Sequence, residues 1–444
     1  MVRKIFSFIA STLLLATLAL AQEAAVETIQ VNGATLVVVP DTIDTTLPAR
    51  AETPWEEWLT EAVETAGTPG VLYPWNARPD IYGFGDAPTN PYFNSEFSSY
   101  SGLVLGWPGY VFNPQGVLTI TELRDIVVNA AGRMWISIVV PSGTPRTRVT
   151  NTLNAAGVDP SLYELITFDR EFPDSLSGNT LDTIWIRDYG PEFIYDASGS
   201  IGIIDMSYYP QVWTSPSNPR GRVRDDAVPN RLGAVFGMPV YRPRLAAEGG
   251  NMQTDGNGTC FVSDVMRTAN ARIFGAGFTS QVLANTLGDF YGCQRTVILQ
   301  PLSGEGTGHI DMFMTVVSPD TILVGQYNPA DDLTNANRLN QNADTLTGSG
   351  YNVVRIPMPK PYSIGGRRVW ATFANSLSIN DATIVPIYRN PNFPPALRDT
   401  ILAQEADALS KYRAALPGIT VIPIIGDPLI PSGGSLHCIT MTYQ

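Results

Sequence analysis

A short unit recurs along this chain of 444 residues, and it limits the possible folds more than any single motif does. Residues 121–131 carry apolar positions at helical spacing, stop at Gly132, and are followed by a β-branched run at 134–140. The same order of helix, glycine and apolar strand is read at 279–287 with 296–299, at 335–346 with 351–356, and at 396–416 with 419–424; glycine is the usual helix stop. A second element recurs beside it. Tight turns at Asp196, Asp255, Pro319 and Asn380 each open into an apolar strand, with turn-forming residues bracketing β-formers. These turns start about 60 residues apart, the signature of one supersecondary module copied along a chain. The module is of ββαβ type, and the length beyond residue 94 holds about five or six copies of it. Such copies predict an α/β array around a central axis, with one loop from each copy meeting the others at a common mouth.

Composition fits this class. The 39 Gly and 35 Pro favour many short strands and turns. A hydrophobic content of 44% excludes a wholly disordered chain. The net charge of −13 argues against nucleic acid as a partner, and suits a cationic ligand. Arg3 and Lys4, the apolar residues 5–18 and the small-residue site Ala19-Leu20-Ala21 predict a signal peptide over 1–21. No later stretch approaches the ~20 uninterrupted apolar residues of a membrane helix. The processed chain is therefore expected without a membrane span, secreted or periplasmic. Residues 22–93 are expected as a Pro-rich leader or N-terminal arm with a hairpin near 28–39, and 94–444 as the compact domain.

The chemistry-bearing residues are few. The chain has two histidines and three cysteines. Asp188 follows an apolar run, 183–186, and enters a turn before Gly190 and Pro191. Glu248 precedes Gly249 and Gly250, which allow close backbone approach. His309 and Asp311, two residues apart, would share one face of an extended chain. Cys438 follows Gly433 and Gly434 near the C-terminus. Its neighbour His437 would face the other way and is expected to be structural, leaving His309 as the acid/base. Cys260 and Cys293 can pair or remain two buried thiols, the second being the simpler expectation; an odd count leaves Cys438 as the free thiol. No metal-ligand or calcium-loop spacing is visible, so neither metal nor cofactor is expected.

Two aspartates, a histidine and a cysteine suit a planar, permanently charged guanidinium. Carboxylates take its N–H groups in bidentate pairs, cysteine attacks the central carbon, and histidine protonates the departing amine and then activates water.

The motifs Trp185-x-x-Asp188-Tyr-Gly-Pro, Glu248-Gly-Gly-Asn, Gly308-His309-Ile-Asp311 and Gly433-Gly-Ser-Leu-His-Cys438-Ile-Thr occur in that order. Together they resemble the agmatine deiminase and Porphyromonas-type peptidyl-arginine deiminase family, over roughly residues 94–444. The resemblance implies the five-bladed α/β propeller of the guanidine-modifying (pentein) superfamily. It implies Cys438 as the nucleophile of a covalent amidino-thiol intermediate, His309 as general acid/base, and Asp188 and Asp311 as guanidinium-binding carboxylates. It also implies Glu248 as support for the histidine, Trp185 as packing on the substrate's aliphatic stem, and Asn375 as a pocket asparagine. The signal peptide favours the peptidyl-arginine branch, where a pair of arginines holds the substrate's C-terminal carboxylate; Arg220 and Arg222 offer such a pair. The expected reaction is hydrolysis of arginine, at peptide C-termini, to citrulline and ammonia. Agmatine or free arginine is the alternative substrate, and a catalytically silent arginine-binding propeller is the alternative of another class.

Overall fold

The computed structural model describes residues 83–168, 181–208, 222–364 and 367–444, together with the backbone of Glu27–Val31 and Ala34–Val38. The expected signal peptide and Arg220 lie outside the described residues.

Five sheets repeat one topology. Unit one consists of Glu192–Tyr195, Ile201–Ile204, the helix Val228–Phe236 and Val240–Tyr241. Unit two has Met252–Thr254, Thr259–Ser263, helices Asp264–Phe274 and Ser280–Tyr291, and Arg295–Leu299. Unit three is Met314–Ser318, Thr321–Gln326, the helix Leu333–Gly348 and Asn352–Pro357. Unit four is Leu377–Ser378, Ala382–Ile387, the helix Pro395–Ala415 and Thr420–Ile425. Unit five is assembled from both ends of the domain: Thr440–Tyr443 pairs with Gly102–Gly106, followed by the helix Thr121–Ala130 and Trp135–Val139. In every unit the first two strands are antiparallel, and the third, beyond the helix, runs parallel to the second. A parallel return needs a long crossover, and the helix supplies it.

Local sequence explains the helix ends. Asp332 accepts from the backbone N–H of Asn335, and Thr279 from that of Val282, each satisfying a donor that has no intrahelical partner. The four helix–strand pairs read from spacing recur as helices Thr121–Ala130, Ser280–Tyr291, Leu333–Gly348 and Pro395–Ala415, each ahead of a strand. Unit one escaped that reading because its nine-residue helix carries Pro229 and Gly233, which blur a helical pattern.

The hairpin expected near 28–39 is present as Glu27–Val31 and Ala34–Val38, its second strand runs parallel to Arg295–Leu299, and Tyr92–Phe93 pairs with Glu192–Tyr195. The outer strands of units one and two otherwise present unpaired backbone groups, which a further strand satisfies. Cys260 and Cys293 form a disulfide, with Cα atoms 5.7 Å apart, in place of the two thiols expected. Parallel pairing sets Cys260 opposite Thr296, so the chain entering Arg295–Leu299 brings Cys293 within bonding distance.

Among the described residues the apolar core divides into four clusters, and Trp185 packs against three of them. No helix of the described residues is long and apolar enough to cross a membrane.

The fold's main consequence is positional. A short helical turn precedes the first strand of units one, two, three and five, and an irregular stretch precedes that of unit four; these five segments carry the candidate residues. Asp188 lies in Ile186–Tyr189, Glu248 precedes Gly249–Asn251, and His309 and Asp311 flank the start of Ile310–Met312. Asn375 stands two residues before Leu377–Ser378, and Cys438 lies in His437–Ile439.

Candidate active site

The extended run expected at His309–Asp311 is instead a tight helical turn entered at His309, as are the segments at Asp188, Gly249–Asn251 and Cys438, while Asn375 lies in an irregular stretch. His309 and Asp311 nonetheless reach one spot. A Cβ added at Gly250 would lie 2.5 Å from His309 Nδ1, 2.9 Å from Asp188 Oδ1 and 3.1 Å from Asp311 Oδ2. Glycine is required there because any side chain would occupy the point on which the three groups converge. Gly434 plays the same part on the opposite wall. Its Cβ would fall 2.6 Å from the Trp185 indole and 3.0 Å from Cys438 Sγ.

The hydrogen bonds divide the site into a front and a back. At the front, His309 Nε2 is 2.7 Å from Glu248 Oε2, and its Nδ1 stands 3.6 Å from Asp188 Oδ1. Asp188 Oδ1, His309 Nδ1 and Asp311 Oδ1 are buried yet have no hydrogen-bond partner. Orphaned buried polar atoms call for an explanation, and three of them at one site mark a place for a ligand bearing N–H groups. At the back, Asp311 Oδ2 accepts from Cys438 Sγ at 3.3 Å and lies 2.9 Å from His437 Nδ1. His437 Nε2 lies 3.0 Å from Glu96 Oε2.

Asn375 lies against the Cys438 thiol. Its Nδ2 donates to Cys438 Sγ at 3.1 Å and to the Asp311 carbonyl at 3.2 Å, and its Oδ1 accepts from the His437 backbone N–H at 3.0 Å. It braces the nucleophile's turn against the Asp311 turn. Arg222, the described member of the expected arginine pair, donates to the Tyr208 hydroxyl and lies 5.5 Å over that ring. Its charge still acts on Asp188 and Glu248.

Electrostatics follow from burial without bulk water. Burial raises the Asp188 carboxyl above its usual range, with Glu248 and Asp311 adding to the rise and His309 opposing it. Burial works against charge on His309, but Asp188, Glu248 and Asp311 outweigh it and push its pKa up to about 10. Burial, then Asp311 and Asp188, holds the Cys438 thiol well above its ordinary value. Without a ligand the site therefore combines a protonated histidine with a protonated thiol, and a bound cation would favour the thiolate. Asp188, Glu248 and His309 also offer ligand atoms within 4.8 Å of one another, a spacing that could hold a metal ion. His309 Nε2 is already engaged by Glu248 there.

Sequence reasoning missed Glu96 and Arg187, and set His437 apart from the chemistry. Glu96 stood in view only as part of the expected domain start, and His437 was assigned by an alternation that the turn His437–Ile439 does not follow.

Fold and site together define a hydrolase acting on carbon–nitrogen bonds of linear amidines, a deiminase of guanidine compounds. The chain belongs to the Porphyromonas-type peptidyl-arginine deiminase family, whose model matches residues 92–443. Relatives named as agmatine deiminases come from Streptomyces avermitilis, 23% identical over 78% of this chain and 95% of theirs, and Vibrio parahaemolyticus, 23% identical over 79% and 95%. Among solved structures, an arginine deiminase from Porphyromonas gingivalis is similar at 25% identity, with a TM-score of 0.63, covering 80% of this chain and 98% of its own. A substrate-bound agmatine deiminase from C. jejuni is similar at 20% identity, with a TM-score of 0.62, over 80% and 96%. At these identities the structural likeness speaks for the shared α/β fold.

Proposed function

We propose that this deiminase acts on a small guanidine with a flexible tail, agmatine first, through a covalent intermediate on Cys438. The observation that carries the reading is the convergence of His309 Nδ1, Asp188 Oδ1 and Asp311 Oδ2 on Gly250, the first two without a hydrogen-bond partner, beside a thiol that Asp311 Oδ2 holds. The agmatine deiminase names of the curated relatives support the substrate. The engagement of Arg222 with Tyr208 supports it further, because an arginine already bound to a hydroxyl is less ready to clamp a carboxylate.

In this reading Asp188 and Asp311 take the guanidinium N–H groups, and the bound cation lowers the thiol pKa so that its proton is released. The Cys438 thiolate adds to the guanidinium carbon. His309 gives its proton to the departing nitrogen, and ammonia leaves an amidino-thiol. His309, held by Glu248, then takes a proton from water, which attacks the same carbon. The carbon–sulfur bond breaks, and the product is a ureide: N-carbamoylputrescine from agmatine, citrulline from arginine. Trp185, across Gly434 from Cys438, packs on the aliphatic stem. The five units are blades of a propeller, with the five loops meeting at its axis.

A second reading, deimination of C-terminal arginine in peptides, is favoured by the family's description and by the nearness of Arg222's charge to Asp188. Export is part of the proposal as well, supported by the 1–21 pattern and by a disulfide suited to an oxidising compartment. The test is ureide formation from agmatine, free arginine, a peptide ending in arginine, its amidated twin and a peptide with internal arginine. Highest kcat/KM for agmatine is expected. Preference for the free C-terminal arginine peptide over its amidated twin would transfer the proposal to the second reading.

A further inference from the structure

We infer that Glu96 and His437 are positioning residues of this site, a charged clamp that fixes the Asp311 carboxylate against the Cys438 thiol. The inference rests on the reading of Cys438 as nucleophile. His437 is 2% exposed, and both ring nitrogens are engaged: Nδ1 with Asp311 Oδ2 at 2.9 Å, Nε2 with Glu96 Oε2 at 3.0 Å. The clamp has its own anchor. Arg187 Nη1 stands 3.5 Å from Glu96 Oε1, and Arg187 Nε donates to the His437 carbonyl at 3.5 Å. Arg187, Glu96 and His437 thus close a ring behind the pocket, and a single oxygen of Asp311 connects that ring to the thiol.

Charge explains why the ring is built this way. Two oppositely charged neighbours, Arg187 and His437, hold the Glu96 carboxyl down at about 2 despite its burial. Glu96 and Asp311 raise the His437 pKa against burial and against Arg187. Both ring nitrogens face carboxylate oxygens, which can only accept, so the geometry calls for an imidazolium donating from both nitrogens. Asp311 would otherwise face the negative charges of Asp188 and Glu248 with only the weak thiol donor on Oδ2. A charge-assisted bond from His437 keeps that oxygen in place, and the second oxygen, without a protein partner, is left for the substrate. Glu96 reaches this centre from a position 342 residues before Cys438 in the chain, on the segment that leads into unit five.

The test uses the full chain and four variants: Glu96→Gln, Glu96→Asp, His437→Gln and Cys438→Ala. The readouts are kcat and KM on agmatine, melting temperature, and the pH dependence of Cys438 alkylation by iodoacetamide. Removing the Glu96 charge at constant shape is expected to lower kcat/KM roughly 10- to 100-fold, the worth of one charge-assisted bond. It should also move the alkylation profile to higher pH, with Glu96→Asp recovering much of both. His437→Gln should match Glu96→Gln in direction. If either variant melts earlier while its folded fraction keeps the wild-type kcat/KM and alkylation profile, the pair is merely structural and the inference is overturned. An active Cys438→Ala would instead overturn the reading beneath it.

Discussion

His309 and His437 are both buried, and each lies between carboxylates, yet they are wired differently. His437 has a partner on each nitrogen, Asp311 and Glu96, at hydrogen-bond distance. His309 has only one such bond, to Glu248, and its other nitrogen faces Asp188 at 3.6 Å beside Gly250. A saturated imidazole can hold a neighbour still but has no proton free to give. An imidazole with one open nitrogen can exchange a proton with a ligand at that point. In the proposed reaction this contrast assigns His309 as the acid/base and His437 as a positioning group, although residue type and burial are the same.

The largest effect that would break this comparison is expected from Cys438→Ala. Turnover should fall on the order of 10⁴-fold or more, with an unchanged melting temperature. Surviving ureide production would remove the chemistry that both histidines are said to serve. His309→Asn comes next, with a loss of roughly 10² to 10⁴ in kcat. Equal losses in His309→Asn and His437→Gln would erase the distinction between them. Gly250→Ala places a carbon 2.5 Å from His309 Nδ1, so the ring must shift by about 1 Å to restore contact distance, and a misplacement of that size costs on the order of 10²-fold in kcat/KM. Substrate handling in that variant as good as wild type would show that the guanidinium binds elsewhere.

The pH response sharpens the same contrast. The His309 pKa is raised from 6.5 to about 10, so its stabilising contribution is complete below 6.5 and disappears as pH rises through 10. The proton donor is lost over the same range, so kcat/KM should decline near pH 10. Glu96 has the opposite sign: depressed from 4.5 to about 2, it stabilises fully above 4.5 and loses that contribution as pH falls toward 2. Melting temperatures of wild type and Glu96→Gln should therefore differ most above pH 4.5 and draw together only as pH falls to about 2. The smallest effect on activity is expected at the disulfide. Replacing Cys260 and Cys293 by serine should lower stability by roughly 4 kcal/mol, as for a loop closed by a 33-residue separation, and leave kcat unchanged, because the bridge lies within unit two, away from Cys438.

The legibility of the chain varied with the scale of the feature. The repeat was readable because long helices such as Leu333–Gly348 and apolar strands such as Thr321–Gln326 carry strong local patterns. Asp188, Glu248, His309, Asp311 and Cys438 were readable because glycine-flanked acid/base clusters are rare in a chain with two histidines. Local geometry was not. A strand alternation assigned His437 and Cys438 to opposite sides, whereas their tight turn brings both to Asp311 Oδ2. Asn375 was expected in the pocket, and its bracing of the Cys438 turn was not readable from sequence.

By itself the sequence determined the repeated α/β module, the small set of groups able to do the chemistry, and their order along the chain. These depend on periodicity and residue type, which are local properties. Only the tertiary structure decided that Glu96 lies behind His437, that Cys260 bonds Cys293, and that the last strand, Thr440–Tyr443, completes the sheet begun at Gly102. Those contacts join residues tens to hundreds of positions apart, and no local pattern encodes which distant partner a buried charge or an open strand edge will meet.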